Sequence, residues 1–118
     1  MTIKIHNTGN SNVAEIISEE VVIHTVEDAL NLLGNLYYEN VDKIFIHEKN
    51  ITPDFFDLKT KIAGEILQKF SNYRTQLAII GDFSKYTSKS LQDFIFESNN
   101  RKQIIFAPTV EDGLKKFS

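Results

Sequence analysis

The chain has 118 residues, of which 42% are hydrophobic, with no cysteine and a formal net charge of −3. This length predicts a single domain over residues 1–118 with enough apolar residues for one core. The lack of cysteine excludes thiol catalysis and thiolate metal ligands, and it favours a reducing compartment. The acidic balance argues against a nucleic-acid binder held mainly by phosphate contacts.

Targeting and membrane signals are not apparent in the sequence. The first residues contain no apolar run of signal-peptide length, and no stretch approaches the ~20 apolar residues that cross a bilayer. No phosphate-binding loop motif of the Gly-x-x-x-x-Gly-Lys-Ser/Thr type occurs. We therefore expect a cytoplasmic protein without a cofactor and without a membrane or nucleic-acid partner.

The chain begins with two short alternating segments. Residues 2–6 and 13–17 read as strands, and the turn-forming residues 7–12 between them predict a hairpin. The apolar residues 21–23 predict a short extended or edge-like segment. A helix follows over 26–38, where apolar residues recur at helical spacing.

The middle of the chain alternates between strand and helix patterns. Residues 43–47 predict a strand and residues 58–73 a long helix with one apolar stripe. Residues 76–81 predict a strand whose apolar core has no polar interruption, as in strands that are buried on both faces. We expect this strand to lie at the centre of the sheet.

The last third of the chain continues this alternation. Residues 88–98 predict a helix, 103–107 a strand and 110–117 a final helix. Thr25 and Thr109 each precede acidic residues at a helix start, which is typical of N-caps. Together the elements predict the α/β class, with a mixed, mainly parallel sheet of about five strands and four helices.

Two polar loops follow the predicted parallel strands, and each leads into a helix N-terminus. In open α/β sheets, ligands and partners meet the loops at the carboxyl ends of the strands. Free N–H groups at helix starts favour an anion there. The candidate binding residues are Asp54, Asp57, Lys59, Thr60, Asp82, Ser84, Lys85, Tyr86, Ser88 and Lys89.

Each candidate also has a structural interpretation. Ser88 caps the next helix in that interpretation, and Thr52 caps the turn that contains Asp54. Asp54, Asp57 and Asp82 would suit a hard cation if they formed a cluster, but capping and turn roles are simpler, and we expect no metal site. The three histidines lie on separate elements without the i, i+4 spacing of a helix-borne zinc pair.

Four further motifs stand out along the chain: FFDL (55–58), AGEILQKF (63–70), GDFSKYTSKSL (81–91) and FIFESN (94–99). In these motifs the sequence resembles a bacterial family known only as domain of unknown function 4180. The resemblance covers nearly the whole chain and implies no established activity.

The element order also resembles that of STAS domains, the fold of anti-sigma factor antagonists. That resemblance implies a STAS-like fold and a bacterial regulatory module that binds partner proteins. In that family a phosphorylatable serine lies near the start of the helix after the third strand. The nearest stretch here is residues 57–64, in which Thr60 offers the only hydroxyl group and so becomes the candidate phosphorylation site.

Three functions remain open from the sequence. The first is a non-enzymatic regulatory or protein-interaction module, with another protein as its partner. The second is a small-molecule or anion-binding protein that uses the two polar loops. The third is an enzyme of unknown class, although no catalytic constellation is recognisable. Exposed Phe55, Phe56 or Phe83 would favour a protein partner, and a pocket with Lys85 or Lys89 directed inward would favour a ligand.

Overall fold

The computed structural model describes residues 1–8 and 11–117. The strands are β1 (Thr2–Asn7), β2 (Asn12–Ile17), β3 (Lys43–His47), β4 (Gln76–Ile80) and β5 (Ile104–Ala107). The helices are α1 (Val26–Tyr37), α2 (Ile62–Asn72), α3 (Lys89–Arg101) and α4 (Val110–Lys116). Three short 3-10 helices lie between β3 and α2, at Glu48–Asn50, Pro53–Phe56 and Leu58–Thr60.

The five strands form one sheet in the order β1-β2-β3-β4-β5. β1 and β2 form an antiparallel hairpin, with Lys4 opposite Glu15. The remaining pairs are parallel, and β3 pairs with β4 from Lys43–Gln76 to His47–Ile80. The predicted fold class, a mixed and mainly parallel sheet with four helices, is confirmed.

Strand β4 is an interior strand between β3 and β5, as its uninterrupted apolar sequence predicts, although β3 is the middle strand of the five. Leu77 and Ile79 face the larger core, which also contains apolar residues of α1, α2 and α3. Ala78 and Ile80 face a smaller core closed by Leu114 and its neighbours in α4. Three helices therefore cover one face of the sheet, and α4 covers part of the other.

The predicted helix caps are confirmed. The Thr25 hydroxyl accepts the backbone N–H of Asp28 at 3.1 Å, and Thr109 accepts that of Asp112 at 3.1 Å. Ser88 caps α3 by accepting the backbone N–H of Leu91 at 3.3 Å. These hydroxyls satisfy N–H groups that have no partner inside the helix.

The long helix predicted over residues 58–73 begins later than expected. Lys61 has a φ of 66°, a left-handed conformation that interrupts any right-handed helix, and α2 starts only at Ile62. The Asp57 side chain caps the preceding 3-10 turn by accepting the backbone N–H of Lys59 at 3.1 Å. The apolar stripe predicted the helix, but it carried no information about this break.

Helix α3 ends three residues beyond its predicted end. It continues to Arg101, and Lys102 forms the left-handed C-cap with a φ of 61°. Asn99, the residue after the predicted end, accepts the backbone N–H of Phe106 with its side chain at 2.7 Å. This tertiary hydrogen bond ties the last turns of α3 to β5.

Two smaller expectations concern the hairpin and the segment after it. The predicted turn at residues 7–12 includes Gly9 and Asn10, which lie outside the described residues. Residues 21–23 form no full strand, but Ile23 makes a single parallel bridge to Ile51. That bridge ties the connection before α1 to the loop after β3.

Candidate functional site

The two polar loops lie side by side at the carboxyl edge of the sheet, and aromatic rings join them. Phe56, from the loop after β3, stacks on Tyr86, from the loop after β4, with ring centroids 4.9 Å apart and an interplanar angle of 13°. Phe83 also packs near Phe56, at 6.0 Å between centroids. We call the surface formed by residues 48–60 and 81–90 the carboxyl edge.

Glu48 is the centre of this edge. It is the first residue after β3, and its side chain is only 14% exposed. Its Oε2 atom accepts the Tyr86 hydroxyl at 2.5 Å and lies 2.7 Å from Lys85 Nζ. Lys85 and Tyr86 were predicted site residues, and the structure brings both to one carboxylate.

Gly81 allows Glu48 to occupy this position. A Cβ atom added to Gly81 would lie 2.8 Å from Glu48 Cβ and 2.9 Å from its Oε1 atom. Cβ atoms do not approach other atoms so closely, so any side chain at residue 81 would displace the carboxylate. The ends of β3 and β4 thus meet through a glycine that is required for close approach.

The local environment holds Tyr86 in its protonated form. Burial raises the pKa of Tyr86 above its ordinary value of 10.0, and the hydrogen bond and negative charge of Glu48 raise it further. A phenol with a raised pKa donates hydrogen bonds and is a poor general base. Tyr86 is therefore suited to hold Glu48 in place.

The polar residues of the first loop mainly support the backbone. The Thr60 hydroxyl lies 2.7 Å from the Asp54 carbonyl oxygen and 2.8 Å from that of Asp57. Asp57 caps the turn at Lys59, and the Thr52 hydroxyl accepts the backbone N–H of Asp54 at 3.3 Å. The structural interpretation of Thr52 and Asp54 is confirmed, and the side chains of Asp54, Asp57 and Lys59 stay exposed.

The second loop is built in the same way. Asp82 Oδ1 accepts both the backbone N–H of Ser84, at 3.0 Å, and its hydroxyl, at 2.7 Å. These Ser84 bonds lower the pKa of Asp82, and the charge of Lys85 adds to the effect. Lys89 pairs with Asp93 one helical turn away, at 2.8 Å. The loop is thus an ordered turn with its charged groups in solvent.

The aromatic residues of the first loop belong to the core. Phe55 is fully buried, Phe56 is 7% exposed, and Phe83 is partly buried against the same core. Phe55 and Phe56 therefore pack beneath the carboxyl edge as core residues, and they are not exposed for contact with a partner protein. Between the loops lies a shallow depression of about 280 Å³, lined by Glu48, Lys85, Tyr86 and neighbouring residues.

A second polar cluster lies on the face of the sheet that α4 partly covers. Glu15 in β2 accepts His6 Nε2 on Oε1 at 2.9 Å and His47 Nε2 on Oε2 at 2.8 Å. Each histidine thus binds a different carboxylate oxygen. Across the described part of the chain, no three His, Asp or Glu side chains are placed to hold a metal ion, and this includes Asp54, Asp57 and Asp82.

Sequence reasoning identified neither Glu48 nor the two-histidine cluster. For Glu48, the usable signal was its position directly after a parallel strand, the same signal that selected the loops. Glu15 is an acidic residue in an otherwise apolar buried strand, which is unusual unless it is paired. The sequence alone did not indicate which residues would pair with it.

The fold and the edge define this chain as a small mixed α/β protein with two cross-braced loops at the carboxyl ends of its parallel strands. The family model described as "Domain of unknown function (DUF4180)" matches residues 8–117. The chain belongs to this family. No curated protein and no solved structure matches it. Among the residues that the structure describes, no helix has the length and apolar character to span a membrane.

Proposed function

We propose that the protein is a non-enzymatic regulatory module that binds a partner protein through its carboxyl edge. The supporting observation is the cross-bracing of the two loops by Glu48, Phe56 and Tyr86. These contacts hold the backbone of the two loops in one conformation, and the exposed charged groups project from that backbone. A surface that is ordered before binding loses less conformational entropy when a partner docks.

The charges at the edge suit a polar protein surface. Of the ten predicted site residues, Tyr86 alone is partly buried, and the other nine are exposed. They include Asp54, Asp57 and Asp82 as well as lysines at positions 59, 85 and 89. Mixed charges contribute to the specificity and association rate of protein partners more than to affinity.

The depression at the edge is a less suitable site for a small molecule. Its volume of about 280 Å³ lies at the lower limit of ligand pockets, which occupy roughly 300–1,000 Å³. The Oε2 atom of Glu48 is already occupied by Tyr86 and Lys85. A ligand that used these two donors would have to displace an existing ion pair.

A small anionic ligand is the second candidate, and one observation favours it. Lys49 and Lys85 both line the depression, and their side chains are 60% and 59% exposed. Two accessible ammonium groups at one depression could hold a phosphate or carboxylate. The experiment below distinguishes this candidate from a protein partner.

Thr60 offers a route for regulation at this edge. Its hydroxyl bonds to the carbonyl groups of Asp54 and Asp57, next to two exposed carboxylates. A phosphate on Thr60 would remove these donor bonds and place about two negative charges beside the acids. Phosphorylation would then loosen the first loop and weaken partner binding.

The test is a double charge reversal, Lys85→Glu with Lys89→Glu, in an affinity pull-down from a lysate of the native host. The Lys89–Asp93 pair lies at the surface, and such pairs contribute only ~0–1 kcal/mol to stability. Lys85 is exposed but pairs with the largely buried Glu48, so we expect a lower urea midpoint with the circular dichroism spectrum of the parent. We expect the recovered protein partner to be lost. The matched control, Lys115→Glu with Lys116→Glu on α4, should retain it.

Each outcome of the pull-down is informative. Equal recovery of the partner by the edge variant and the parent would contradict the proposal. Recovery of a small anion, with no protein partner, that is lost in the edge variant would support the second candidate instead. Loss of the partner in both double variants would indicate a non-specific effect of charge and would also contradict the edge assignment.

A further inference from the structure

A cavity lies in a groove between α2 and α3 and shares no residue with the depression at the carboxyl edge. It has a volume of about 490 Å³, well inside the roughly 300–1,000 Å³ of small-molecule pockets. Leu67, Phe94 and Ile104 supply its apolar lining. Ile104 is fully buried, and Leu67 and Phe94 pack against the main core.

Gly64 contributes to the openness of this groove. It lies in the first turns of α2 and lines the cavity, and a Cβ atom added there would meet nothing within 4 Å. Glycine inside a helix destabilises the protein relative to alanine. No contact of the fold requires a glycine at this position, and its effect is to leave space.

Two opposite charges at the groove are not paired. Glu97 and Arg101 both line the cavity, and they are one helical turn apart on α3, with the acid first, which is the favourable order for an i, i+4 ion pair. Both side chains are exposed, and neither forms a salt bridge or a side-chain hydrogen bond with another described residue. The less favourable order, Lys89 before Asp93, does pair on the same helix at 2.8 Å.

The amide groups of the groove already have partners. Gln68 donates to the Asn72 side chain at 3.0 Å, and Gln103 donates to the Thr75 carbonyl oxygen at 2.8 Å. The charged groups that remain available to a ligand are therefore one carboxylate and one guanidinium, beside an apolar surface. A ligand that satisfies them carries one positive charge, one negative charge and an apolar side chain.

We propose that this groove binds a free α-amino acid with an apolar side chain. Its ammonium group pairs with Glu97, its carboxylate with Arg101, and its side chain packs on Leu67 and Phe94. A simple anion is disfavoured because Glu97 repels it, and a simple amine is disfavoured by Arg101 in the same way. This site is separate from the carboxyl edge, so it would make the module responsive to a small metabolite while the edge engages a protein.

The first experiment is a calorimetric titration of the full chain with L-leucine and L-phenylalanine. N-acetyl-L-phenylalanine, which lacks the ammonium group, and L-phenylalanine amide, which lacks the carboxylate, serve as blocked probes. We expect saturable binding of the free amino acids and at least roughly tenfold weaker binding of both blocked probes, since a charge-assisted hydrogen bond is lost in each. Absence of saturable binding, or equal binding of a blocked probe, overturns the proposal.

The variants Glu97→Gln and Arg101→Gln test whether the amino acid binds in the groove. Each should weaken binding at least about tenfold, while Glu111→Gln and Lys115→Gln, which have the same spacing on α4, should leave it unchanged. Binding that is insensitive to Glu97 and Arg101 overturns the site.

A variant that fills the groove with a larger side chain shows whether a loss of binding comes from the blocked groove or from a loss of folding. Gly64→Leu should maintain or raise the thermal midpoint, because leucine is a better helix former than glycine, and it should abolish amino-acid binding. Gly34→Leu, at a glycine of α1 with open space of the same kind, is the matched control and should bind normally. If Gly64→Leu folds and binds like the parent, the groove is not the site.

Discussion

Replacing Ile79 with aspartate should abolish soluble folding. Ile79 is fully buried in β4, an interior strand of the sheet. The change removes an apolar side chain, at a cost of about 2–5 kcal/mol, and buries a charge whose effective penalty is several kcal/mol. The sum is comparable with the ~5–15 kcal/mol that stabilise a typical domain.

The matched control for this change is Ile79→Val. It removes one methylene group and should cost only about 0.5–1.5 kcal/mol in urea unfolding. The measurement is the soluble yield of both variants, followed by circular dichroism and denaturant unfolding of what is soluble. A soluble Ile79→Asp variant with a cooperative transition would contradict the interior placement of β4.

Replacing Glu15 with glutamine should lower the free energy of unfolding at neutral pH. It should also make that free energy fall less steeply as the pH is lowered. Burial raises the pKa of Glu15, but hydrogen bonds and charges of His47 and His6 outweigh burial and leave the pKa below its ordinary value of 4.5. Hydrogen bonds to a charged group contribute about 1.5–3 kcal/mol. We expect a loss of that order in the neutral range.

The sign of the pH effect follows from the lowered pKa. A carboxylate with a lowered folded-state pKa stabilises the protein fully above its unfolded value, here 4.5, and this contribution is lost as the pH falls through the folded value. The parent should therefore lose more stability than Glu15→Gln below pH 4.5. Urea midpoints over that range measure the difference, and Glu39→Gln, at an exposed carboxylate outside the sheet, is the control. Parallel curves for the parent and Glu15→Gln would contradict a stabilising role of the two-histidine cluster.

Much of the fold could be predicted because its signals are local. The apolar run at residues 77–80 indicated a strand covered on both faces, and the threonines at 25 and 109 indicated helix starts. The errors arose at the left-handed residues Lys61 and Lys102. Lysine rarely adopts that conformation, since its Cβ atom disfavours it, and neither position resembles a helix end.

The candidate site was predictable only in part. Lys85 and Tyr86 were selected because their loop follows a parallel strand, and the structure confirms that the two loops are neighbours. Glu48 was not selected, because its contact with Tyr86 spans 38 residues of sequence. The bond between Glu15 and His47 spans 32 residues, and such contacts depend on strand register, which single residues do not encode.

The central claim is that the carboxyl edge binds a partner protein, and a hydrogen-exchange footprint tests it most directly. Backbone amide exchange would be measured by mass spectrometry in the free protein and in its complex with the partner recovered by the pull-down. We predict slower exchange at residues 53–60 and 82–90 in the complex. We predict little change in α4, which lies on the face of the sheet away from α1, α2 and α3. Protection confined to β1, or to the groove between α2 and α3, with exchange at residues 53–60 and 82–90 unchanged, would contradict the claim.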